Sequence, residues 1–417
     1  MKLLVVTSAY PYPGHEFAGI FNERCVAALQ EHCEHVEVLT PRPYVPPLLT
    51  RLSTVPRWKD YAMQPPHERR QGVSIHRPAY VQLPGFLSAW CMDRGRFWGC
   101  RRQAHRRHEQ IGFDAIVSFD IRSGALAWRL ARDFGIPASG WAFGSDLRVR
   151  AGSASAQVVC QALQRLDLVF YQSHELRHLA AQLLHVPSDS LCVDTHIVLP
   201  HGIPEPPVLP REDLRHSVRS AWGLGDDQVA AVGIGRMSRD KGLFELMDAI
   251  SLATAQNPRI TGICVGSKPA FDDTATIQRT LQERPNLAEH LKLLPACAPD
   301  QVWEYLCAAD IFVFPSHNEG MPNALLEAMA MGVPALAFAI PPVQEIEAGS
   351  SALAVVPPFD TARFAEELLR LASSQVERVV MGEKGKAQIF ERFMLHKNIA
   401  KAFVQIEKMV ANHHTLR

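Results

Sequence analysis

The sequence predicts an α/β protein made of two doubly wound domains with mostly parallel sheets. Three observations carry that reading. Short apolar runs recur along the chain, and most are followed by a stretch with helical spacing of its apolar residues. A proline-dense segment near the middle divides this alternation into two similar halves. A length of 417 residues then fits two domains, at about 100–200 residues each.

The elements follow in order. "MKLLVVTSAYPYPG" opens with an apolar run, Lys2–Thr7, too short for a signal peptide and without a small-residue cleavage site, so it reads as a buried first strand. Further strands are expected at 35–39, 114–118, 136–141, 167–171 and 196–199. Residues 41–85, proline-rich and irregular, read as surface loops. "LPHGIPEPPVLPRED", 199–213, holds five prolines and reads as a hinge. Beyond it strands are expected at 229–234, 260–265, 291–294, 310–314, 334–338 and 352–356. The expected domains are 1–203 and 204–390. Residues 391–417 form a final helix whose stripe of Ile399, Ala402, Phe403, Ile406 and Met409 lies across both domains and packs back toward the first.

Composition narrows the function. Lys and Arg together equal Asp and Glu at 43 each, which nominates no nucleic-acid partner. The balance is uneven, however. Residues 1–200 carry 22 basic against 17 acidic side chains, and the remainder is acidic, so the first half is the one suited to an anionic partner. Nine cysteines without a C-x-x-C pair suggest a reduced, cytoplasmic enzyme rather than a zinc ribbon or redox motif. No run of about 18 apolar residues appears, so no membrane span is expected.

The densest chemistry lies in "NEGMPNALLEAMAMGVP", 318–334. Pro322 suits a first helical position, Gly332 a C-terminal cap, and Pro334 the start of the next strand. Glu319 then falls on a strand-to-helix turn, at the carboxyl edge of a sheet where α/β proteins bind ligands. Free N–H groups of the first helical turn can hold a phosphate. Glu327, four residues past Asn323, would repel that phosphate unless it grips another part of the ligand, such as ribose hydroxyls. A nucleotide-sugar offers phosphate, ribose and hexose together.

Four further motifs carry chemistry. "VGIGRMSRDKG", 232–242, lacks the third glycine of a dinucleotide fingerprint and the G-K-[ST] of a P-loop, but places Arg236 and Lys241 around a turn where they could grip a diphosphate. Gly19, in a loop leading to a helix, permits close approach of backbone to an anion. In "GWAFGSDLRV", Ser145 and Asp146 follow a strand and could bind an acceptor hydroxyl. "HELRH", 174–178, matches H-E-x-x-H, which leaves a zinc hydrolase using His174 and His178 as an alternative.

Together these residues resemble the retaining glycosyltransferases with two facing Rossmann-like domains, the GT-B fold of family 4. "IFVFPSHNEGMPNALLEAMAMGVPALAFAIPPVQEI", 311–346, is similar to that family's PS-x-x-EG-x-P-x-x-LLEAMA-x-G-x-P signature. "GIGRMSRDKG" looks like its G-x-G-R-x-x-x-x-KG segment, "AGIF" like its N-terminal glycine loop, and "VLPHGI" like its hinge. The resemblance implies that Arg236 and Lys241 neutralise the diphosphate, Glu327 holds the ribose, and Glu319 meets the transferred sugar. The backbone from Met321 through Pro322 and Asn323 to Ala324 would bind sugar and phosphate, and Gly19 the phosphate from the opposite domain. It implies a UDP- or GDP-sugar donor, retention of configuration, and no metal or other cofactor. Phe143 stands where the family often has histidine, and Pro341-Pro342 replaces a glycine pair. A non-catalytic sugar-binding relative is therefore the other alternative.

The acceptor is expected on the basic side. Residues 86–110 carry arginines at 94, 96, 101, 102, 106 and 107 among Phe86, Leu87, Trp90, Phe97 and Trp98. Basic residues beside aromatic ones suit an interfacial helix on anionic lipid. The expectation is a protein peripheral to the inner face of the cell membrane that extends a lipid-linked glycan.

Overall fold

A computed structural model describes residues 1–46, 56–82, 91–150, 152–267 and 271–415. Its strands are β1 (Lys2–Val6), β2 (His35–Leu39), β3 (Arg42–Pro43), β4 (His67–Arg70), β5 (Val73–His76), β6 (Ala79–Tyr80), β7 (Ala115–Ser118), β8 (Ala138–Ala142), β9 (Leu168–Tyr171) and β10 (His196–Val198), then β11 (Val229–Ile234), β12 (Ile260–Val265), β13 (Leu291–Leu294), β14 (Ile311–Phe314), β15 (Ala335–Phe338) and β16 (Ala354–Val356). The chain divides into two units, Met1–His201 with Leu395–Arg417, and Gly202–Met394.

In the first unit eight strands run β10-β9-β8-β7-β1-β2-β5-β4, parallel except for the β4–β5 pair. After Lys2, β1 is apolar because both faces are covered: Leu4 and Val6 join one core cluster, Leu3 and Val5 the other. β4 and β5 correct the reading of 41–85 as loops. Val73 and Ile75 are buried and extend the sheet beyond β2, a signal too short to stand out among the prolines. β3 and β6 form a separate parallel pair.

Leu395–Thr415 is a helix of this unit. Ile399, Phe403 and Ile406 are buried in the cluster that holds Leu3 and Val5. The other end of the division falls after His201, not after Ile203. Gly202 has a φ of 82°, and a Cβ there would stand 2.3 Å from the Phe393 carbonyl oxygen, while Ile203 N donates to that same carbonyl at 2.9 Å. Two backbone contacts therefore anchor residues 202 and 203 in the second unit.

The second unit holds a six-stranded parallel sheet, β13-β12-β11-β14-β15-β16. Its order reverses between β11 and β14. Loops leaving the carboxyl ends of two such strands depart in opposite directions and open a crevice, the usual ligand position in doubly wound sheets. In the first unit the reversal lies between β1 and β7. The twelve strand positions expected from the sequence all carry strands.

Candidate functional site

The crevice at β11 and β14 is lined by the loop after each strand. β11 ends at Ile234 and the chain turns through Gly235, with a φ of 157°, to Arg236. The close approach is forced: a Cβ on Gly266 would lie 1.6 Å from the Gly235 carbonyl oxygen, and one on Gly242 1.8 Å from that of Pro315. Glycine at 242, with a φ of 71°, lets the loop after β11 press against the loop after β14. These contacts bring Lys241 and Glu319, far apart in sequence, into one cleft of about 300 Å³, with Arg236, Met321, Pro322, Asn323 and Ala324 in its wall.

Within it, Lys241 Nζ donates to Glu319 Oε1 at 2.6 Å, and Ser316 Oγ donates to the same oxygen at 3.0 Å. Arg236 is exposed and pairs with Asp240 at 2.9 Å. Burial raises the Asp240 pKa, but a hydrogen bond from Ser238 and the charges of Arg236 and Lys241 outweigh it and hold the carboxyl below its ordinary value. Both cations of the motif thus carry a carboxylate partner, which the sequence did not indicate.

The helix Asn323–Ala330 begins in the cleft wall. Pro322 is its N-cap rather than its first residue, and its carbonyl accepts the bond from Leu326 N at 3.1 Å. Asn323 Oδ1 is buried without a hydrogen-bond partner. An orphaned buried acceptor beside free helix-start N–H groups marks a place where a hydroxyl-bearing anion fits. Glu327, one turn on, does not line this cleft. Its charge is felt at Cys297, in the loop after β13: burial first, then Glu327 and Glu304, push that thiol up. The two glutamates therefore address different places in the same unit.

The remaining site residues lie in the first unit. Gly19 has a φ of 73° and caps the helix Ile20–Gln30; a Cβ would meet the Ala9 carbonyl at 2.6 Å. That contact alone requires glycine. Next to it, at the β1/β7 reversal, Asp120 accepts from Ser8 N at 2.6 Å, Ser123 N at 2.8 Å and Thr7 Oγ1 at 3.1 Å. Sequence reasoning passed over Asp120. Its helix-capping position, just before the helix Ile121–Phe134, was the available signal.

Asp146 corrects an expectation. Rather than reaching for an acceptor hydroxyl, it is buried and accepts from Ile121 N and Phe143 N, each at 3.2 Å. Burial, then the charge of Asp120, hold its carboxyl well above the usual carboxylate range. It ties the loops after β7 and β8 together. Ser145 is exposed, and its carbonyl accepts from Arg122 Nη2.

The "HELRH" segment is the start of the helix His174–Leu183, capped by Ser173, whose Oγ accepts from Leu176 N. Glu175 clamps Arg148 through both carboxylate oxygens, at 2.7 and 2.8 Å. Among the described residues, no three His, Cys, Asp or Glu side chains converge as a metal site.

The expected basic helix forms over Arg96–Ile111, but its arginines are divided. Arg101 pairs with Asp133 at 2.7 Å, and Arg107 reaches into the core to bind buried Glu37. Only Arg102 and Arg106, with Trp98, remain exposed along one stripe without an ion pair among the described residues. Phe86, Leu87 and Trp90 lie outside the described residues. No helix among them is long and apolar enough to cross a membrane.

Comparison with known proteins adds to this geometry. Residues 229–374 match the family described as glycosyl transferases group 1. A Bacillus subtilis protein named as a teichuronic acid biosynthesis glycosyltransferase, TuaC, is 28% identical over 405 residues, 96% of this chain and 97% of its own. Sucrose-phosphate synthase from Thermosynechococcus elongatus superimposes with a TM-score of 0.73 at 20% identity, covering 99% of this chain and 100% of that one. Anabaena HepE, solved in complex with UDP, gives 0.71 at 15% identity over 98% and 100%.

Proposed function

We propose that the chain, whose fold is GT-B, is a glycosyltransferase of group 1 that moves a hexose from a UDP- or GDP-sugar to a hydroxyl of a growing, lipid-linked glycan, with retention of configuration. The cleft at β11 and β14 carries this reading: a lysine, an arginine, a helix start and an orphaned asparagine oxygen converge where a sugar diphosphate would lie. Lys241, Arg236 and the backbone N–H groups of Met321 and Ala324 supply positive potential as charge develops on the leaving diphosphate. Glu327 takes the ribose and Glu319 the hexose.

In the proposed step the bond from the anomeric carbon to the diphosphate oxygen breaks. A bond to the acceptor oxygen forms on the same face, and the acceptor proton passes to the departing phosphate. The names of relatives support polysaccharide synthesis as the setting: besides teichuronic acid, a Staphylococcus aureus relative is named for capsular polysaccharide biosynthesis. Trp98, Arg102 and Arg106 form the surface proposed to touch anionic lipid, each cation contributing about 1 kcal/mol near such a surface.

A thermal-shift screen of UDP-, GDP- and ADP-sugars tests the donor. A ligand at one hundred times its Kd stabilises by about 2.7 kcal/mol, so the true donor should raise Tm by several degrees. No response to UDP- or GDP-sugars at millimolar concentration would overturn the reading.

A further inference from the structure

The first unit contains a second cleft, of about 770 Å³, that the donor chemistry does not use. It runs from the carboxyl end of β1, at Ser8, to the β3/β6 pair. Arg42, Arg96 and Arg122 line it, and no acidic side chain does among the described residues. Arg70, Arg77, Arg101, Arg107 and Arg129 of this unit are paired with carboxylates. Arg96 has no such partner among the described residues. Its Nε and Nη1 are buried without a hydrogen-bond partner, and its guanidinium lies 5.4 Å from the centre of the Tyr80 ring.

An arginine fork held over an aromatic ring with two buried, unsatisfied N–H groups is unfavourable unless something completes it. The natural complement is an oxyanion, which accepts a charge-assisted bond from a guanidinium N–H. Arg42 reinforces this. Its Nη1 donates to the Tyr61 carbonyl at 3.1 Å, which fixes the side chain, while its Nε is buried and unpartnered. Arg122 stands at the inner end, tied to the Ser145 carbonyl and to Asp146.

The cleft is too large for an oxyanion alone, and it offers apolar rings. Tyr44 and Trp58 line it with 55% and 37% of their surface exposed. Such rings present flat apolar area at low entropic cost, suited to the C–H face of a pyranose. A volume of this size lies within the range that encloses small ligands.

We propose that this cleft binds the acceptor by an anionic saccharide unit, with Arg96 and Arg42 on its carboxylate or phosphate and Trp58 and Tyr44 against its rings. The inference rests on the glycosyltransferase reading for the word acceptor, but the site and its charge preference stand on the cleft alone. The enzyme would then discriminate its acceptor by charge.

The test uses the full-length protein and three probes of similar size: a glucuronic acid-containing disaccharide, a phosphorylated disaccharide, and uncharged maltose. Calorimetry and saturation-transfer NMR should show at least tenfold tighter binding of a charged probe than of maltose. Whether the carboxylate or the phosphate probe binds more tightly identifies the source of the charge. Arg96→Gln should abolish the preference while leaving UDP and GDP affinity unchanged. Arg96→Lys, which keeps charge but loses the planar fork, should be intermediate and serves if the glutamine variant folds poorly. Equal affinity for all three probes, or a charge preference that survives Arg96→Gln and Arg42→Gln together, would overturn the proposal. Failure of the donor reading would instead appear as absent UDP and GDP binding, whatever the disaccharides do.

Discussion

Replacing Glu319 with glutamine should tighten the binding of UDP or GDP while lowering sugar transfer. Lys241 Nζ stands 2.6 Å from Glu319 Oε1, with the two side chains 23% and 15% exposed. A lysine already paired has less to give an incoming phosphate, so nucleotide binding must share or displace that bond. Two charges about 3 Å apart at an effective dielectric of about 20 attract by about 5 kcal/mol before desolvation is counted. Exposed pairs deliver about 0–1 kcal/mol net. This pair lies between those limits, and we take about 1–2 kcal/mol as what phosphate binding forfeits. Glutamine removes the charge but can still accept from Ser316 Oγ, so the side chain should stay in place. Nucleoside-diphosphate affinity should therefore rise about 5- to 30-fold, by about 1.4 kcal/mol per decade. Lys241→Ala should do the reverse, weakening affinity and lowering turnover about 100- to 1,000-fold, as loss of a strong electrostatic donor does. Because Glu319 would then keep its negative charge beside the phosphates, the Lys241→Ala/Glu319→Gln double variant should bind nucleotide better than Lys241→Ala. Isothermal calorimetry at low salt measures all four proteins. If Glu319→Gln binds within twofold of wild type or more weakly, and the double variant is no better than Lys241→Ala, the pair is not what the diphosphate meets.

The other predictions address separate parts of the molecule. Glu327→Ala should weaken UDP or GDP and the donor alike, since ribose is common to both, and calorimetry against Glu319→Gln separates the two roles. Gly242→Ala places a Cβ 1.8 Å from the Pro315 carbonyl oxygen at a φ of 71°; the loop carrying Lys241 must move, and transfer should fall about 100-fold, as about 1 Å of misplacement can cost. Burial raises the Glu37 carboxyl, but two hydrogen bonds from Arg107 and the facing His76 outweigh it and hold Glu37 at about 2 against an ordinary 4.5. Its contribution to stability is thus complete above pH 4.5 and lost as pH falls toward 2, and Glu37→Gln should cost about 3 kcal/mol near neutrality in urea unfolding while flattening that acid limb. Sedimentation with anionic vesicles should fade with salt and drop for Arg102→Gln/Arg106→Gln; equal binding to neutral vesicles would point to a soluble acceptor.

What the sequence made legible were features that repeat or that sit within one loop. The strands of the second sheet are mostly apolar runs, and the helix from Asn323 to Ala330 announces its ends with Pro322 and Gly332. β4 and β5 escaped because β4, His67–Arg70, has no apolar residue and in β5 only Val73 and Ile75 show a buried alternation. Charge partners escaped for a different reason. Whether an arginine is free for lipid or committed to a carboxylate depends on which distant strand packs beneath it, and nothing within residues 96–111 tells Arg102 from Arg107. The partner of Arg107 is Glu37, 70 residues earlier on β2. Asp146 failed similarly: an acid after a strand looks available until the loop after β7 delivers the Ile121 N–H to it. The same limit hid the pairing of Lys241 with Glu319, 78 residues apart and joined only because Gly242 can touch the Pro315 carbonyl. Motif residues were thus legible as a set, but their charge state was not. That state decides whether the cleft meets a diphosphate with one free cation or with cations it must first release, which is why the charge on Glu319, rather than the lysine itself, is the quantity that tests the site most directly.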